Sequence, residues 1–227
     1  MSNTPYFSPA LSDFLRELKE NNSRQWFQAN KWRYEEQVRQ PALRFIAEFA
    51  PYLHRISPRF VADPRPVGGS LFRIYRDVRF SKDKSPYKTH LGIQFRHEVG
   101  KDVHSPGFYV HLEPGEVMMA AGIWRPDNAS LTKIRDAIVE YPEKWQEVTR
   151  FPSPDFRLSG DSLKRPPRGY PPDHPLIEDL KRKDFYALTH FSETDAVSPA
   201  FPQILFNAFR TASPLMRFLT EALELAW

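Results

Sequence analysis

Apolar positions recur at helical spacing up to Leu53 and at strand spacing from Leu71, and this change of period divides the chain into its elements. Leu11, Phe14, Leu15 and Leu18 follow Ser8 and Pro9, which suit an N-cap and a first helical position, until Asn21 and Asn22 break the run. A second helix is expected to open near Ser23 and to carry Trp26, Phe27, Tyr34 and Val38. Pro41 restarts the pattern, which continues through Ala42, Phe45, Ile46, Phe49 and Leu53 with a kink expected at Pro51.

Between Leu71 and Trp124 the apolar period is that of strands. Phe72, Ile74, Val78 and Phe80 alternate with Arg73, Tyr75, Asp77 and Arg79. Leu91, Ile93 and Phe95 alternate with His90, Gly92, Gln94 and Arg96, and Phe108, Val110 and Leu112 with Tyr109, His111 and Glu113. Each run reads as an amphipathic strand. Pro114 and Gly115 fit the centre of a type II turn, which predicts a hairpin into Val117–Trp124. Helix returns after Asp127, a good N-cap, with Leu131, Ile134 and Ile138 on one face and Pro142 either ending it or starting the next turn. Phe151 to Pro175 has little periodicity and is expected to be a surface loop, with Asp173 capping a short helix over Leu176–Lys183. A strand over Asp184–Phe191 and two helical runs, separated at Ser213 and Pro214, close the chain. The expected fold is α+β, a central, mostly antiparallel sheet flanked by N- and C-terminal helices, in a single domain over residues 1–227.

Composition narrows the chemistry. The 227 residues include 18 Phe, 9 Tyr, 5 Trp and 22 Pro, which suits many short elements joined by shaped loops. The absence of Cys excludes a disulfide frame, a thiolate zinc site and a cysteine nucleophile. No long apolar run suits a membrane span and Met1–Ala10 has no leader pattern, so a cytoplasmic location is expected. A net charge of +4 allows no more than a local basic patch.

That patch is residues 72–90, where Arg73, Arg76, Arg79, Lys82, Lys84 and Lys88 meet only Asp77 and Asp83. The run resembles the signature of a widespread bacterial family of unknown function, Arg-x-x-Arg-Asp-x-Arg-Phe followed by Asp or Asn, Lys and Tyr. Those positions fall here on Arg73, Arg76, Asp77, Arg79, Phe80, Asp83, Lys84 and Tyr87. The likeness extends to Asn21, Asn22, Trp26, Phe27, Lys31, Tyr34 and Glu35, to Gly107, Phe108, Tyr109, Glu113, Pro114 and Gly115, and through Gly122, Trp124 and Pro126 to Arg168, Gly169, Asp173, His174 and Pro175. The resemblance implies membership and carries no established activity with it.

The residues themselves say more. On a strand, Arg76 would stand on the apolar face with Ile74, Val78 and Phe80 and would need a buried carboxylate, for which Glu35 is placed by position. The opposite face would gather Arg73, Tyr75, Asp77, Arg79, His90, Gln94, Tyr109, His111 and Glu113, either as a salt-bridge lattice or as a pocket. The leading expectation is a pocket for a small anionic ligand bearing phosphate or carboxylate, held by Arg73, Arg79, Lys84, Lys88, His90 and Tyr109. In an enzyme, Asp77 or His111 would be the general base. The alternative is a non-catalytic binding or scaffold module for a protein or nucleic-acid partner. Nucleic acid is disfavoured because most aromatics near the basic run alternate inward. His90 and His111 with Asp77 or Glu113 are residue types that suit zinc, iron or manganese, but spacing alone assigns no metal and no cofactor. Gly160–Asp161–Ser162–Leu163 spells an esterase nucleophile block without its usual position or late Asp-x-x-His.

Overall fold

The computed structural model describes residues 4–100 and 104–227; residues 1–3, at the start of the opening segment, and 101–103 lie outside the described residues. Helix α1 spans Pro9–Glu20 and buries Leu11, Phe14, Leu15 and Leu18. The expected second helix is two pieces. Helix α2, Arg24–Ala29, is capped by the Ser23 side chain, which accepts from Trp26 N–H, and ends at Asn30. A short α3, Lys31–Arg33, then runs through a π-helical turn, Tyr34–Arg39, into α4, Gln40–His54. The π turn has a local cause. Pro41 has no N–H to give the ladder, and the preceding Gln40 N–H donates to Glu35 O, one residue beyond the α-helical partner.

A single six-stranded sheet follows, in the order β1-β2-β3-β4-β6-β5. Its strands are β1 Phe60–Val61, β2 Leu91–His97, β3 Gly107–Glu113, β4 Glu116–Ile123, β5 Arg157–Ser159 and β6 Phe185–Phe191. Every neighbouring pair is antiparallel. The expected hairpin is β3–β4, closed at Glu113↔Glu116, and Gly115 takes the positive φ of 86° that its turn position demands. Helices α5 (Asn128–Glu140) and α6 (Pro142–Val148) follow β4, with Asp127 capping α5 by accepting from Ser130 N–H at 2.7 Å. The loop expected over 151–175 holds β5. Short α7, Ile177–Leu180, starts after Leu176 with no side chain capping it, so the cap expected at Asp173 is not made; His174 Nδ1 instead accepts from Leu176 N–H, just before the helix. After α8, Glu193–Ala196, the two expected C-terminal runs are one 22-residue helix, α9, Phe201–Ala222. Pro214 does not break it: the proline removes the donor to Arg210 O, and Ser213 Oγ donates to that carbonyl instead, at 2.8 Å.

One face of the sheet carries the core. In register, Ile93, Val110 and Met119 form one row and Phe95, Phe108 and Ala121 the next. Phe49 of α4 stacks on Phe95 at 5.2 Å, and Phe209 of α9 lies 4.6 Å from Phe108, so both helices rest on the centre of the sheet. Trp145 of α6 fills the end between Phe185 and Phe218. Arg135 of α5 is buried, and its guanidinium donates to Leu180 O and Arg182 O at 2.7 and 2.9 Å, tying α5 to the segment that enters β6.

The largest departure from expectation concerns residues 72–80, which are not a strand. They leave the edge of β2 after the bridge Leu71↔Ile93 and turn back on themselves through the bridge Tyr75↔Tyr87. Only Ile74 and Tyr87 of the excursion are buried, and Phe80 is 96% exposed. Local side-chain bonds compete with a ladder here: Asp77 accepts from Arg79 N–H and Asp83 from Ser85 N–H. Arg76 therefore has no apolar face to stand on. It is partly buried and pairs with Asp83, while Glu35, its expected partner, pairs with Arg39.

Replacing Arg135 by Ala leaves two buried carbonyls without their charged donor, and the expected cost is about 3 kcal/mol of unfolding free energy, read by urea denaturation. Arg135→Lys, which restores charge but not the fork, should recover only part of it.

Candidate functional site

Among the described residues, α4, α6 and α9 pack on the first face of the sheet, and the second face carries a cavity. The rows of this second face are Gln94–Tyr109–Ala120–Leu188 and Gly92–His111–Met118–His190, set by the same register that builds the core. The cavity over these rows has a volume of about 460 Å³. Gly107, Ala120 and Gly122 form a floor of small residues, and Phe72, Met118, Trp124, Tyr186 and Leu188 supply apolar walls. His90, Gln94 and Tyr109 are the polar groups that line it. The volume falls in the range of about 300–1,000 Å³ typical of small-molecule sites, and so does the pattern of apolar walls with a few polar groups.

One close approach shapes the polar end. Gly92 has no side chain, and a Cβ there would meet Tyr109 Oη at 2.8 Å and Phe72 Cδ2 at 3.0 Å. Its absence lets Phe72 fold over the sheet and lets the Tyr109 hydroxyl reach His111 Nδ1 at 3.1 Å. His111 Nε2 in turn lies 3.3 Å from Glu113 Oε2, whose other oxygen accepts from Thr89 Oγ1 at 2.9 Å. His90 stacks on His111 with ring centroids 4.4 Å apart. One nitrogen of each histidine and a Glu113 oxygen lie within 4.8 Å of one another, the only such cluster among the described residues able to hold a metal ion.

The electrostatics follow from burial. His90 is pushed down to about 4 by desolvation, and next by His111, so its imidazole is neutral at neutral pH. Burial first, then Glu113 and Glu116, hold the Tyr109 hydroxyl protonated well above its ordinary value. Lys88 is lowered by desolvation and by Arg73. Gln94 is buried, and its Oε1 has no hydrogen-bond partner. An amide oxygen in that state costs about 1–3 kcal/mol until a donor reaches it.

The expected site residues divide accordingly. His90, Tyr109 and His111 come together as the shared face required, with Gln94 and Glu113. Lys88 stands beside them, its Nζ donating to Arg73 O at 2.8 Å and lying 5.3 Å from the Phe72 ring. Arg73 is exposed, next in the chain to Phe72. Arg79, Asp77 and Lys84 lie on the outer loop, away from the residues that line the cavity. Arg79 is taken up by a bidentate pair with Asp77, and Lys84 Nζ donates to Val78 O at 2.9 Å. That pair lowers Asp77 to about 2, a poor match for a general base. Phe72, which alternation assigned to the core, lines the cavity, and Met118, Trp124, Tyr186 and Leu188 join it from strands whose outward faces carried no distinctive chemistry. The small residues Ala120, Ala121 and Gly122 in succession were the available signal on β4.

The loop is fastened from the N-terminal side. Asn22 makes a two-sided clamp on Tyr87, donating to its carbonyl and accepting from its N–H, each at 3.0 Å. Phe27 stacks on the Tyr87 ring at 4.1 Å. The N-terminal helices thus hold the loop that supplies Phe72, Lys88 and His90. A family model for conserved hypothetical proteins, DUF2461, matches residues 10–218 and so takes in the clamp, the loop and the cavity together. The chain belongs to the DUF2461 family. A search of curated proteins finds no match. The DUF2461 description names no activity, so chemistry must be argued from the cavity. Among the described residues no helix is long and apolar enough to cross a membrane.

The depressed His90 implies a pH dependence of stability. Its unfolded form takes up a proton near 6.5 and its folded form only near 4, so the unfolded state binds more protons between those values. Stability in the absence of added metal should therefore be fully present above about 6.5 and fall as the pH is lowered toward 4. Urea unfolding across that window should show a shallower fall for His90→Gln, and the His90 ring protons in NMR should titrate near 4.

Proposed function

We propose that this protein binds a small molecule with an apolar body and an anionic end, a carboxylate or phosphate group, on the cavity-bearing face of its sheet. The body rests on Gly107, Ala120 and Gly122 between the apolar walls and turns an N–H or O–H toward Gln94 Oε1, and the anionic end meets His90 and the Tyr109 hydroxyl. Lys88 and Arg73, beside Phe72 at the edge of the cavity, supply the positive charge that favours an anion. The carrying observation is the buried Gln94 Oε1 left without a donor in a cavity of ligand size. A ligand N–H or O–H satisfies it, which turns a folding cost into binding selectivity. If the bound molecule reacts, His111 would act as base through the Tyr109 hydroxyl, which lines the cavity and lies 3.1 Å from His111 Nδ1.

A thermal-shift screen of carboxylates, phosphate esters and neutral analogues, read together with Ala120→Phe, tests the reading. Ala120 lies between Tyr109 and Leu188 on the cavity floor, so Phe there fills the space without entering the core. Wild-type protein should be stabilised by at least one anionic compound, and Ala120→Phe should fold yet lose that stabilisation. Lys88→Ala should weaken the anion more than its neutral analogue. Equal stabilisation of wild type and Ala120→Phe would place the ligand elsewhere and overturn the assignment.

A further inference from the structure

We propose that His90, His111 and Glu113 form a binding site for a divalent transition-metal ion, with its open coordination positions facing the cavity. Two imidazoles and one carboxylate are brought from different parts of the chain to one corner of the sheet. His111 and Glu113 stand on the same face of β3, and His90 precedes β2 opposite them, next to the pair Leu91↔Leu112. Their ligand atoms lie within 4.8 Å of one another. Metal bonds of about 2.0–2.2 Å in tetrahedral geometry need ligand atoms about 3.3 Å apart. His111 Nε2 and Glu113 Oε2 are already separated by 3.3 Å, and His90 needs only a side-chain adjustment.

The surroundings supply what a metal site needs beyond its ligands. Thr89 Oγ1 donates to the Glu113 oxygen that faces away from His111, which fixes the carboxylate. The Tyr109 hydroxyl holds His111 Nδ1, and as an acceptor of Nδ1–H it selects the tautomer that leaves the Nε2 lone pair free. Without metal, Nε2–H donates to Glu113 and the Tyr109 hydroxyl donates to Nδ1; with metal, the ring proton sits on Nδ1, Tyr109 accepts it, and the ion takes the Nε2 position. Two positive charges compete: Lys88 acts on His90, and Lys19 Nζ lies 3.8 Å from Glu113 Oε1, with a side chain that is 68% exposed and can move into water. Ligand type sets the class of ion. Two imidazoles and a single carboxylate suit zinc, cobalt, iron or manganese, whereas calcium and magnesium prefer shells built from oxygen.

Metal binding needs only the trio. That the open positions receive the anionic end of a ligand rests on the function proposed above, since His90 is the member of the trio that lines the cavity.

Titration of chelator-treated protein with Co²⁺, followed by visible absorption and repeated with Zn²⁺ in competition against a chromophoric chelator, tests the site. Wild type should bind a single equivalent with a Co²⁺ spectrum of low symmetry. His90→Ala, His111→Ala and Glu113→Gln should each weaken binding by about 100-fold or more, and Thr89→Val by about tenfold or more. Circular dichroism checks folding, and if His111→Ala does not fold, His90→Ala and Glu113→Gln decide. Ala120→Phe should leave Co²⁺ affinity unchanged, so loss of organic-ligand binding there and loss of metal binding in the trio variants are separate results. Absence of a stoichiometric Co²⁺ complex in wild type, or unaltered affinity in the folded His90→Ala and Glu113→Gln proteins, would overturn the proposal.

Discussion

The antiparallel ladder through β2, β3 and β4, packed by helices on its core face, is the constraint from which the site follows. Phe95 and Phe108 must lie under Phe49 and Phe209, because each aromatic ring taken from water contributes roughly 1.5–3 kcal/mol. A slip of one residue would turn all of them outward. Holding that register also commits the opposite positions: Gln94 beside Tyr109 beside Ala120, and Gly92 beside His111 beside Met118. The polar corner is thus paid for by the core, and its geometry is as rigid as the ladder that carries it.

The cavity-bearing face is covered in part by the loop that precedes β2. Its two ends are fixed, at Leu71↔Ile93 and at Tyr75↔Tyr87, the second held by the Asn22 clamp and the Phe27 ring. Its tip satisfies its own charges, with Arg76 on Asp83 and Arg79 on Asp77. Exposed pairs of this kind add little stability, so the basic run mainly shapes the loop. Lys88, with its Nζ 5.3 Å from the Phe72 ring, leaves a positive group beside the cavity.

Burial then decides the chemistry of the corner. His90 is kept neutral, Tyr109 is kept protonated, and Glu113 is fixed by Thr89. The His111–Glu113 contact holds a proton between an imidazole nitrogen and a carboxylate oxygen, the position the proposed metal ion would take. The proposed ligand floor at Ala120 and the proposed ion site at the corner are adjacent and are built on different residues of one face.

The amino-acid sequence by itself determined the α+β class, the amphipathic strands β2 and β3, the hairpin at Gly115, the helix start near Ser23 and the cap at Asp127, because each rests on local period or local hydrogen bonding. It also placed His90, Gln94, Tyr109, His111 and Glu113 on one face, since alternation in neighbouring strands shares one core. Tertiary structure decided the rest. Residues 72–80 alternate as well as β2 does, but nearby Asp side chains capture the backbone N–H groups of Arg79 and Ser85, and the chain turns back to pair Tyr75 with Tyr87. Phe72 was therefore moved from core to cavity and Arg79 from cavity to solvent. Ser213 Oγ takes up the carbonyl that Pro214 leaves without its donor, so α9 continues as one helix, with Phe209 on Phe95 and Phe108. Period fixes which way a side chain points; whether anything covers it depends on partners far along the chain.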